Sequence, residues 1–94
     1  MSIVRHHVRD YPTWRKSYDA FAPLQKAGGV IEESVYQDKD DLNEVVVLHR
    51  FADRATADTF LASGELREAM QQAGVMGQPR IELFEDAKTL APSA

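Results

Sequence analysis

The sequence predicts an α+β domain of element order βαββαβ, with a four-stranded antiparallel sheet carrying two helical regions on one face. Three observations lead there. Ser2 to Arg9 reads with a period of two, two apolar runs flank an acidic turn, and two stretches of helical period each close on glycine.

In the first segment Val4, His6 and Val8 share one face while Ile3, Arg5, His7 and Arg9 share the other, as in a strand. Asp10 then caps a helix whose first turn tolerates Pro12, because the backbone donor a proline lacks has no partner there. Trp14, Tyr18, Phe21 and Leu24 or Gln25 recur at helical spacing, and the helix is expected to reach about Ala27. Pro23 lies inside it, and its missing donor and crowding ring predict a kink or break near Ala22. Gly28-Gly29 supplies the stop.

Val30 to Gln37 and Glu44 to Phe51 bracket six residues rich in Asp and Asn, the signature of an antiparallel hairpin with a longer loop. Asp53 caps a second helical region in which Ala57, Phe60 and Leu61 form an apolar side before Ser63-Gly64 interrupts it. Leu66, Ala69, Met70 and Ala73 continue that side until Gly74. Gly77-Gln78-Pro79 reads as a turn into a last strand, Arg80 to Asp86. Residues 1–86 are thus expected to form a single domain, and residues 87–94 a flexible C-terminal tail or an arm onto a neighbour.

Right-handed crossovers applied to this order place the first and third strands at the centre and both helical regions on one face. The other face is left open. Either alternation leaves each face several of Ile3, Val4, Val30, Ile31, Val45, Val46, Leu48, Leu83 and Phe84, so the open face needs a partner. A homodimer packed sheet to sheet supplies it. At 94 residues a lone chain buries only about 60 to 70% of its unfolded surface, which also favours association.

Composition narrows the function classes. The apolar and charged fractions, 44% and 28%, are those of a soluble globule, and no stretch is apolar enough to cross a bilayer. No signal-peptide pattern opens the chain, so a cytoplasmic location is expected. The absence of cysteine removes disulfides, thiolate nucleophiles and cysteine-ligated zinc or iron-sulfur sites. A net charge of -4 and dispersed arginines argue against nucleic acid as a partner. Ser17, Ser34 and Ser63 lack a nucleophile-elbow context. Asp38, Asp40 and Asp41 lack the glycine and distal glutamate of a calcium loop, and read as a solvated turn. Arg5, Arg50 and Arg80 on strands are expected to lean to the rim or to pair with Glu32, Glu33 or Glu82, unless one holds an anionic substrate group.

The chain resembles small members of the dimeric α+β barrel superfamily, which is ferredoxin-like, and within it the antibiotic-biosynthesis-monooxygenase-like proteins and their cyclase-like relatives. The resemblance covers nearly the whole chain. It rests on Val8-Arg9-Asp10-Tyr11-Pro12-Thr13-Trp14, the hairpin from Tyr36 through Asp40-Asp41-Leu42-Asn43-Glu44-Val45, Phe51-Ala52-Asp53, and Ser63-Gly64-Glu65-Leu66-Arg67-Glu68-Ala69-Met70 with Ala73-Gly74-Val75. It implies a barrel shared by two sheets, and a cleft between each sheet and its own helices that takes an aromatic polyketide, a haem or another small molecule. Folds of this kind host several chemistries, so the resemblance carries architecture better than reaction.

His49 shares its face with Val45, Val47 and Phe51, and the resemblance turns that face toward the helices, at the edge of an apolar cleft. An imidazole there suits a general base toward a phenol, because its ordinary pKa of about 6.5 lies near neutrality. The competing reading is a core or interface histidine held by a carboxylate or carbonyl. His6 and His7 point to opposite faces and cannot serve one site. With Arg5 expected opposite Val47, His7 lies across from about Val45 and His49 across from about Ile3, roughly 13 Å apart, so a two-histidine metal site is disfavoured. Trp14 and Tyr18 read as core residues that also line the ligand cavity, Tyr36 as a phenol donor, and Phe51 as a further wall.

The leading expectation is therefore a homodimer that binds a small aromatic or polyketide-like molecule, with catalysis by cofactor-free oxygenation or cyclisation and His49 as base. No cofactor is expected, although the resemblance leaves haem as an alternative. The rival is a non-catalytic dimer whose histidines and aromatics are structural.

Overall fold

The computed structural model describes residues 1–87. Strands β1 (Ser2–Val8) and β3 (Glu44–Phe51) pair antiparallel at the centre of a sheet of order β2-β3-β1-β4, with β2 (Val30–Gln37) and β4 (Val75–Leu83) at the edges. The period of two places the core. Val4, His6 and Val8 of β1 and Val45, Val47, His49 and Phe51 of β3 are all buried beneath the helices, while their alternates face the open side. Of the tail expected at residues 87–94, all but Ala87 lies outside the described residues.

Each helical region is a pair of short helices, so the observed order is βααββααβ. The first pair is α1 (Tyr11–Ala20) and α2 (Ala22–Ala27), and the junction at Phe21 falls where Pro23 predicts a break. Pro23 occupies the first turn of α2, where no backbone donor is required of it. The second pair is α3 (Arg54–Leu61) and α4 (Gly64–Gln72), restarted at Ser63. The caps are as the sequence suggests: Thr13 N–H donates to Asp10 Oδ2 at 3.0 Å, Thr56 N–H to Asp53 Oδ1 at 2.8 Å, and Leu66 N–H to Ser63 Oγ at 3.0 Å. Bonds from Thr13 and Thr56 hold the Asp10 and Asp53 carboxyls below the ordinary range.

The acidic turn also has a structural task. Asp38 Oδ2 accepts from the Asp40 and Asp41 amides at 2.9 and 3.1 Å, folding the turn on itself. Asn43 then ties it to the helices: its Oδ1 accepts from Tyr11 N–H at 2.9 Å and its carbonyl from Val8 N–H at 2.8 Å. The start of α1 is thereby fixed over the sheet. Arg5 approaches Glu44 at 3.8 Å and Asp38 at 3.9 Å, Arg50 approaches Glu32 at 3.5 Å, and Arg80 pairs with Glu82 at 3.0 Å, so all three strand arginines are engaged at the surface.

Two expectations need correction. The last strand starts at Val75, not Arg80, and ends at Leu83; Gly77-Gln78-Pro79 is a bulge within it, with Gly77 at φ +70°. Pro79 fits because β4 is an edge strand. The β1–β3 register is also one residue from the expected one, since Arg5 faces Val46 and Val4 faces Val47. A second buried cluster, Phe51, Ala57 and Phe60, closes the core near the end of β3.

Gly28, the cap of α2, sits directly under Phe60: a Cβ added there would overlap the Phe60 ring. Replacing Gly28 with Ala is expected to cost about 1–3 kcal/mol through overpacking and to displace Phe60. Urea denaturation of Gly28→Ala checks it, and an unchanged midpoint contradicts it.

Candidate active site between sheet and helices

Burying every second residue of two adjacent central strands turns His6 and His49 toward α1. The fourth and eighth residues of that helix, Trp14 and Tyr18, one turn apart on its buried side, come to lie over them. The rings form a continuous row: His6 to Trp14 at 5.5 Å, Trp14 stacked on Tyr18 at 4.9 Å, Tyr18 on His49 at 6.2 Å, and His49 edge-on to Phe60 at 5.8 Å and to Phe51 at 6.3 Å.

His49 is 5% exposed, and its Nε2 lies 3.1 Å from the Tyr18 hydroxyl, which also lies 2.9 Å from Glu33 Oε2. A phenol has one proton. With Glu33 exposed and ionised, that proton goes to the carboxylate, and Nε2–H of a neutral His49 donates to the phenol oxygen. Nδ1 then carries the free lone pair. Burial lowers the His49 pKa, the Glu33 carboxylate partly opposing it, and the ring is neutral at pH 7. Burial and the same carboxylate push the Tyr18 phenol well above its ordinary range. The chain His49–Tyr18–Glu33 thus leads from the interior to the surface.

His6 is in the opposite condition. It is also 5% exposed, yet neither ring nitrogen has a hydrogen-bond partner among the described residues, and burial lowers its pKa to about 4.

Both histidines, with Trp14 and Tyr18, line a mostly apolar cavity of about 50 Å³, whose lining also includes Leu24 and Met70. That is space for a few waters. No group of three or more His, Asp or Glu side chains among the described residues is arranged to hold a metal. His6, not His7, shares the face of His49. It pairs with Val45, four residues from His49, about 13 Å at the usual strand rise, while His7 lies on the other face, 3.6 Å from Asp41.

The structure therefore brings together His49, Trp14 and Tyr18. Phe51 packs behind His49 and is not part of the cavity wall. Tyr36 is 56% exposed and faces Val46 on the open side of the sheet, away from the other candidates. Sequence reasoning missed two cavity-associated groups, His6 and Glu33. The signal for His6 was its place between Val4 and Val8 on the covered face; Glu33 becomes visible only through its pairing with His49 across β2 and β3.

Fold and cavity define a ferredoxin-like α+β domain with a histidine- and aromatic-walled interior site. The chain belongs to the antibiotic biosynthesis monooxygenase family, whose model matches residues 12–72. It is similar in fold to a monooxygenase from ActVA-Orf6 of Streptomyces coelicolor solved in complex with nanaomycin D, at 20% identity over 98% of this chain and 90% of that one, TM-score 0.66. SnoaB, a cofactor-independent oxygenase from Streptomyces nogalater, is similar at 14% identity over 98% and 95%, TM-score 0.70. Rv0793 from Mycobacterium tuberculosis follows at 18% identity over 96% of each chain, TM-score 0.67. No curated protein matches the chain. No helix among the described residues is long and apolar enough to cross a membrane.

The buried histidines set a pH dependence. The unfolded chain protonates a histidine below about pH 6.5, whereas native His6 resists protonation down to about 4. Stability is therefore full above pH 6.5 and declines as pH falls toward 4, by on the order of 3 kcal/mol for His6, with His49 acting in the same direction. Urea denaturation across this window is expected to show the decline, and His6→Phe to flatten it. A wild-type stability that stays level from pH 7 to 4.5 contradicts the assignment.

Proposed function

We propose that the chain is a homodimeric, cofactor-independent monooxygenase acting in the cytoplasm on a small aromatic or polyketide-like molecule, held between the sheet and the helices of each subunit. The observation that carries this reading is the neutral His49 on the cavity wall, backed by Tyr18 and Glu33. Family membership supports the reaction class, and at the level of fold so do a relative described as cofactor-independent and another bound to nanaomycin D.

In this mechanism His49 Nδ1 removes a proton from the CH2 of a hydroxylated aromatic ketone, an anthrone, and the Nε2 proton shifts through Tyr18 toward Glu33. The resulting carbanion gives an electron to dioxygen, and recombination forms a carbon-bound peroxide. Loss of water turns the original CH2 into a carbonyl: CH2 and O2 become C=O and H2O, so the substrate supplies all the electrons. Trp14 and Tyr18 enclose the ring system. Ligand sites usually have about 300–1,000 Å³, so the substrate enters by displacing Leu24 and the flexible Met70. The rival, a non-catalytic ligand-binding dimer with His49 as scaffold, rests on the small cavity and on the hydrogen bond already made by His49 Nε2.

His49→Gln separates the two. Oxygen consumption with a hydroxylated anthrone is expected to fall by about 10²–10⁴ in the variant while anthrone affinity stays within a few-fold. Unchanged turnover, or a wild type that binds the anthrone without oxidising it, gives the rival its case.

The dimer is proposed through the open sheet face, where Ile3, Val46 and Leu48 at the centre are flanked by exposed Tyr36, Met76 and Phe84. Sedimentation is expected to give twice the 10.6 kDa chain mass at micromolar concentration. A single species of the chain mass there, with stability independent of dilution, removes it.

A further inference from the structure

We propose that His6 is a ligand-binding residue, whose ring takes a hydroxyl or carbonyl group of a planar polycyclic aromatic molecule at the end of the cavity opposite His49. The inference rests on the cavity receiving an aromatic ligand, as above, and not on any catalytic step.

The argument starts from an imbalance. Buried side-chain nitrogens nearly always have a partner, because leaving water without one is unfavourable. His6 leaves water almost completely, keeps both nitrogens unpartnered among the described residues, and stands with Val4 on the wall of a cavity, while the next buried residue of β1, Val8, is apolar too. Position 6 would therefore suit an apolar side chain if packing were its whole task. A neutral imidazole offers one donor and one acceptor, and a hydroxyl group meets either. The lowered pKa keeps it in that neutral form through the physiological range.

The surroundings select the ligand's shape. Trp14 lies 5.5 Å from His6 and is stacked on Tyr18, so the span between the two histidines is lined by aromatic rings. His6 and His49 are set four strand positions apart, about 13 Å along the sheet. A single benzene ring cannot engage both ends. A fused ring system with polar groups at its two ends can, with one end at His6 and the reacting end at His49.

The test is His6→Phe, which keeps the ring volume and removes both nitrogens, with 1,8-dihydroxyanthraquinone as probe. The variant is expected to unfold at a higher urea concentration than the wild type at pH 7, because an unpartnered polar ring has been replaced by an apolar one, and to bind the probe at least tenfold more weakly. A lower unfolding midpoint overturns the proposal, since it identifies His6 as a satisfied structural residue. Unchanged affinity overturns it too, and means that water alone meets the ring. His49→Gln is measured alongside. Tight wild-type binding that survives His6→Phe removes only the role of His6, whereas failure of the wild type to bind the probe removes the aromatic-ligand reading and this proposal together.

Discussion

Two imidazoles buried on the inner face of the central strands set the terms for everything packed above them. A buried histidine must stay neutral and should keep its nitrogens hydrogen-bonded. Tyr18 meets that need at His49, and it does so only because α1 is held at the right height by the Asp10 cap and by the Asn43 contact to Tyr11. The turn chemistry of the hairpin, the cap of the first helix and the protonation state of the candidate base are thus one connected arrangement. Loosening Asn43 would let α1 drift and would leave Nε2 of His49 without its acceptor.

Much of this was legible in the chain because it is local. Alternation on β1 and β3, the Asp10, Asp53 and Ser63 caps, and the interrupting effect of Pro23 each depend on residues within one turn or one strand of each other. The misreadings share the opposite property. Gly77-Gln78-Pro79 carries every local sign of a turn, but its place on a sheet edge, where a proline has no ladder bond to break, lets the strand run through it as a bulge. The one-residue register offset between β1 and β3 comes from long-range pairing, which a pattern of period two constrains by face and not by position.

The candidate site divides along the same line. Trp14, Tyr18 and His49 follow from helix and strand periodicity, and the structure unites them. Tyr36 belongs to β2, an edge strand with a bulge beside Ile31, and its face depends on pairing with Val46 that no local pattern fixes. Glu33 escaped notice for the same reason: a glutamate on an exposed edge strand reads as solubility until its partner across the ladder proves to be His49. His6 was readable by face, but its lack of a partner is a property of the packed interior alone.

The small volume of the cavity has a thermodynamic consequence for any ligand it takes. Helices of six to ten residues are marginal by themselves and are held in place by packing, so α2, short and joined to α1 by a break at Phe21, is the natural element to yield. Opening it exposes apolar surface, and the apparent affinity is reduced by the fraction of molecules that are open. A ligand that only filled space would recover the lost packing and no more. One that also presents a polar group to His6 removes a penalty the empty protein carries, so part of its binding energy comes from correcting the free state. Affinity in such a site is governed less by the contacts counted in the complex than by the deficiency left in its absence.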